Sequence, residues 1–159
     1  MQRFTIAMAA LAIMARATAA CAGNTAEQTI RFVVRGVSQI SVSGSPAPMI
    51  LETPASGSGI RWVSDSSTRH AVTTNESVKI TGRLDGEMPE GVQLSVTLGA
   101  PSGAQARTDV PLTSGDRELI TGIFKQCVAG QSITYRLSAK PVGPRVISGV
   151  KTVIFTVSE

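Results

Sequence analysis

The feature that most constrains this chain is a period of two. From Gln28 onward, apolar residues fall at alternate positions of short segments, the spacing that puts side chains on one face of a strand. Val92, Leu94, Val96 and Leu98 alternate with Gln93, Ser95 and Thr97, and this is the cleanest run. Ile30, Phe32 and Val34 alternate with Arg31 and Val33, and Val37, Ile40 and Val42 follow. Ile60–Val63, Ala71–Thr73, Val78–Leu84, Ile120–Phe124, Ile133–Leu137 and a final run from Val146 to Val157 read as further strands. β-branched residues fill these segments and Gly, Pro, Asn and Asp punctuate them. Asp85-Gly86 and Met88–Gly91 have the residues of a bend between the two strongest strands. Strands about ten residues apart, with turn signals between them, predict an all-β antiparallel sandwich. The mature chain shows no convincing helix, no heptad, no obvious internal repeat and no linker between halves.

Residues 1–20 break this pattern and read as a secretory signal peptide. A short basic start at Arg3 is followed by an apolar run from Thr5 to Ala15, then by the small residues Ala17-Thr18-Ala19-Ala20. That run is shorter than the ~20 residues a membrane-spanning helix needs. The leader predicts export through the periplasm to the cell surface and leaves residues 21–159 as one sandwich domain with an N-terminal extension over 21–35. Cleavage after Ala19 or Ala20 leaves Cys21 at or beside the new N-terminus. Cys21 then has two readings. An oxidising compartment favours a disulfide with Cys127, the only other cysteine. Thr18-Ala19-Ala20-Cys21 also reads as a lipoprotein box, with Thr18 where a large aliphatic residue is usual.

Charge and chemistry narrow the function. The chain has 15 Lys and Arg against 11 Asp and Glu, and setting aside Arg3 and Arg16 of the leader leaves 13 against 11. That balance excludes a basic nucleic-acid surface. With one histidine and two cysteines there is little material for catalysis, and neither a cofactor nor a metal is expected. His70 and Asp65 with a serine could be written as a triad, but no nucleophile elbow accompanies them. Asp85, Glu87 and Glu90 form the densest acidic group, whose spacing fits a solvated loop better than a calcium loop. Asn75-Glu76-Ser77 matches a glycosylation acceptor, which the bacterial character of the leader discounts. Trp62 beside Arg61 is expected to pack in the core, with a sugar-stacking platform as the functional alternative.

One arrangement points to assembly. A small, polar N-terminus, Ala22–Glu27, precedes the alternating strand Ile30–Val34. A strand behind such a tail can leave its own sheet and repair the open edge of another. The order of pieces resembles the major subunits of the alpha-class chaperone–usher fimbriae, the colonisation-factor pilins. Ala26–Val34 is similar to that family's donor segment and Val37–Val42 to the strand after it. Val72–Ser77 before Val78-Lys79-Ile80 resembles its mid-chain Thr-Asn-acid segment leading into a strand, and Leu137–Pro141 and Ser148–Val153 resemble its last two strands. The resemblance implies an immunoglobulin-like sandwich lacking one strand, completed by a strand donated from a neighbouring copy. It implies Ile30, Phe32 and Val34 as donor residues, and Val153, Phe155 and Val157 as lining the groove or the core beneath it. It also implies a homopolymer, a periplasmic chaperone, an outer-membrane usher, and a role in adhesion with a host or surface receptor. The alternative is a monomeric secreted or lipid-anchored sandwich that binds a ligand such as carbohydrate.

Overall fold

The structure is a computed structural model that describes residues 27–51, 60–140 and 148–159. The leader, Cys21 and the first part of the extension lie outside the described residues. The chain divides into two units, Met1–Val33 and Val34–Glu159. In the first unit, residues 27–33 belong to no strand.

The second unit is all-β, as the alternation requires, and no helix occurs among the described residues. Its strands are β1 (Ser38–Ser43), β2 (Arg61–Leu84), β3 (Val92–Leu98), β4 (Gln105–Ala106), β5 (Val110–Pro111), β6 (Arg117–Ala139) and β7 (Val153–Ser158). All pairings are antiparallel, in the order β1-β2-β6-β3-β5, with β4 on β6 and β7 on β2. Among the described residues the sheet does not close, and the architecture is that of an incomplete β-sandwich.

Two strands dominate. β2 runs for 24 residues and β6 for 23, far beyond the usual ~5–6. Segments that read separately, Ile60–Val63 through Val78–Leu84, are largely one strand, and so are Ile120–Phe124 and Ile133–Leu137. The polar residues between them are not turns. Neither Gly nor Pro occurs from Arg61 to Thr81, so nothing there ends the strand. Instead the β2–β6 register shifts at five places, including Asp65/Thr68 and Thr74/Ser77. On β6, Gly122, Lys125 and Gly130 have positive φ. Bulges of this kind bend and twist a ladder without breaking it, so one strand pair can serve two ends of a core.

That core follows the alternation. Leu94, Val96 and Leu98 of β3 are buried with Val72, Val78, Ile80 and Leu84 of β2 and Leu119, Ile120, Ile123, Ile133 and Tyr135 of β6. Full burial of one such aliphatic side chain stabilises by about 1.5–3 kcal/mol. The 85–91 connection joins β2 to β3, and Gly91 supplies the left-handed backbone (φ 78°) just before β3. Leu112 N donates to Leu94 O (2.9 Å) and Leu84 N to Thr113 O (2.8 Å), tying the two ends together.

Candidate assembly surface

β1 and β7 share one edge of β2. β6 pairs with the opposite edge throughout, while β1 takes Arg69–Thr74 and β7 takes Lys79–Leu84. Both run antiparallel to β2, so β7 ends at Ser158, opposite Lys79, before β1 starts at Ser38, opposite Thr74. The stretch of β2 between them, residues 75–78, receives no strand on this edge among the described residues.

Asn75 fills that gap. Its backbone N donates to Val37 O (3.2 Å), its Oδ1 accepts from Val37 N (2.7 Å), and its Nδ2 donates to Arg35 O (3.1 Å). The side chain thus continues the ladder where no strand residue can, and fixes the direction in which the chain enters β1. Sequence reasoning missed this role. The same residue was visible there as a glycosylation acceptor and as part of the Val72–Ser77 resemblance, and nothing in the residue pattern reveals which carbonyl an amide will meet. Glu76 lies next to it and against Gly36. A hydrogen bond with Glu159, with burial and the like charge of Glu159 adding to it, raises the pKa of Glu76 from its ordinary value.

The residues singled out from the sequence separate into two groups. Ile30, Phe32 and Val34 are 74%, 80% and 77% exposed and lie outside every strand. Val153, Phe155 and Val157 are half-buried on β7 and pack against the core, opposite Leu84, Gly82 and Ile80. Cys127 is exposed on β6, opposite Thr73, whose Oγ1 lies 3.8 Å from its sulfur. Its expected partner Cys21 is outside the described residues.

The alternative chemistries find different surroundings. His70 is buried in β2, where its Nε2–H donates to Gly99 O at 3.0 Å and its Nδ1 has no hydrogen-bond partner among the described residues. Burial lowers its pKa, the carbonyl bond opposing in part. Asp65 accepts from Ser67 N (3.1 Å) and Ser67 Oγ (2.8 Å), which lower its pKa, so this carboxylate organises its own strand bulge. Glu87 accepts from the backbone and hydroxyl of Ser114, bracing the 85–91 connection. No group of three or more His, Cys, Asp and Glu that could hold a metal occurs among the described residues.

Trp62 corrects an expectation. It is 58% exposed, not in the core, with the Arg136 guanidinium 4.4 Å from its ring centre. Trp62 lies opposite Ser138, and the alternation that buries Ile133 and Tyr135 on β6 places this position on the outer face. Arg136 is held in turn by Asp109 at 2.8 Å.

Compared with protein-family profiles, curated proteins and solved structures, the chain matches none.

Proposed function

We propose that this chain is an exported surface-structural subunit that assembles by donating its N-terminal segment to a neighbouring copy. The observation that carries the proposal is the state of Ile30, Phe32 and Val34. Three large apolar side chains at strand spacing stand 74–80% exposed, directly before a β1 whose entry Asn75 fixes. Leaving each of them in water forgoes about 1.5–3 kcal/mol of burial. A second copy with an open sheet edge offers both main-chain partners and apolar cover.

The resemblance to alpha-class fimbrial major subunits supports the same reading. It adds a periplasmic chaperone that covers the open sheet in transit and an outer-membrane usher where subunits join. On this reading the chain works by assembly without catalysis. Replacing Phe32 with Asp is expected to leave an exported, folded monomer and to stop filament growth. Filaments of normal length from that variant would refute the proposal.

The exposure of Trp62 favours a second reading, a monomeric binding module. Arg136 covers one face of the indole, so a sugar would stack on the other. Such a module predicts saturable glycan binding by a monomer, lost on Trp62→Ala.

A further inference from the structure

The exposed segment and the last strand carry the same residue pattern. Thr29-Ile30-Arg31-Phe32-Val33-Val34 matches Thr152-Val153-Ile154-Phe155-Thr156-Val157: Thr, Phe and the last Val coincide, and Ile30 replaces Val153. We infer that residues 29–34 of a second copy are an alternative occupant of the β7 position on β2, so that assembly exchanges one strand for its likeness. The inference rests on the strand-donation reading above and specifies where the donated segment goes.

The register supplies the physical argument. Phe155 lies opposite Gly82, Val153 opposite Leu84 and Val157 opposite Ile80. At Gly82 the leucines press close to the bare backbone: a Cβ there would lie 2.7 Å from Leu119 Cδ1 and 3.4 Å from Leu112 Cδ2, so one of them would have to move. An aromatic ring across from a strand glycine covers the backbone that the glycine leaves bare. Phe32 is the only aromatic of the N-terminal segment, and in β7's register it falls opposite Gly82. Ile30 and Val34 then replace Val153 and Val157, so the inward face gains one methylene and stays apolar and β-branched.

Position and pairing also favour exchange. Among the described residues β7 pairs with β2 alone, and its apolar side chains are only half-buried. Exchanging equivalent elements between protomers is a low-cost route to assembly, because the incoming strand packs on β2 as the departing one did. A second copy is assigned because the chain's own segment would reach this pairing only through a register shift, whereas a separate strand can take it directly. Continued without a bulge from its own β1, where Ser38 faces Thr74, the segment would set Phe32 opposite Ile80 and leave Gly82 to Ile30. Two outward positions differ: Arg31 would replace Ile154 opposite Arg83, whose carboxylate partner Asp116 is 3.7 Å away, and Val33 would replace Thr156 opposite Thr81.

The test uses the full chain carrying Phe32→Asp as recipient and a synthetic peptide of residues 27–36 as donor. Saturating peptide is expected to speed exchange of the β7 amides that bond to β2 by about tenfold or more while Lys79–Leu84 stay protected. A peptide carrying the same Phe32→Asp change should do nothing. Adding Phe155→Asp to the recipient should weaken β7 and tighten peptide binding. Binding that leaves β7 exchange unchanged or slower overturns the exchange, because the peptide then lies beside β7, and strand donation stands. Absence of binding also overturns it, and filaments of the unmodified chain then show whether donation survives at another edge.

Discussion

β3 and the N-terminal segment have the same alternation and opposite fates. Leu94, Val96 and Leu98 are at most 5% exposed, whereas Ile30, Phe32 and Val34 are at least 74% exposed. Local pattern cannot explain the difference, since both segments put every second apolar residue on one face. What separates them is a partner. β3 pairs with β6 over seven residues, Val92↔Ala139 to Leu98↔Ile133, and with β5 beyond it. The N-terminal segment has the face without a strand neighbour among the described residues. Alternation therefore specifies which side of a strand seeks cover, and topology decides whether the cover is in the chain.

The largest effects should come from the covered region. Ile80→Ala removes a fully buried side chain from between β7 and the core and should cost about 2–5 kcal/mol in denaturant unfolding. Phe32→Ala should change monomer stability by less than about 0.5 kcal/mol, as an exposed site does. A comparable loss at the two positions would erase the contrast between the regions.

The junction comes next. Asn75→Ala removes the side-chain bonds to Val37 and Arg35 and should cost about 1–2 kcal/mol. Amide exchange at Val37 and Ser38 should rise more than at β3. Equal rises in both would mean that Asn75 supports the whole sheet and not the entry to β1.

Protonation sharpens the comparison further. The folded pKa of His70 is lowered, so the unfolded chain takes up a proton first as pH falls below the ordinary value near 6.5. Stability is constant in this respect above that pH and falls below it, by at most about 1.4 kcal/mol per pH unit, until the folded pKa is reached. His70→Gln should remove that slope in urea titrations at stepped pH. Glu76 has the opposite sign. Its pKa is raised in the folded chain, so its contribution is present at acid pH and is lost as pH rises through the folded value. Glu76→Gln should flatten this smaller dependence, read by the same titrations. An unchanged profile would remove the Glu76–Glu159 contact from the account.

Much of the fold is legible in the residues, for reasons these regions make plain. Leu94, Val96 and Leu98 alternate without a fault, and the Gly and Pro after Leu84 mark the turn between the strongest strands. The continuity of β2 and β6 was not legible as such, because Ser64–Ser67 and Thr73–Ser77 have the composition of turns while their backbone keeps pairing through bulges. The absence of Gly and Pro across Arg61–Thr81 was the available signal. Trp62 shows a different limit. The parity of the strand around it is set by bulges further along, so size and hydrophobicity pointed inward while the register turns it outward. The role of Asn75 depends on a contact with residues 35–37, about forty positions away in sequence, which no local pattern encodes.

The most direct measurement is the assembly state of the processed wild-type protein, taken on gels of heated and unheated samples and by electron microscopy. Strand donation predicts a ladder of oligomers that collapses to one band on heating, and thin fibres that vanish in Phe32→Asp. A single monomer band in both samples, cooperatively folded and without fibres, would contradict it.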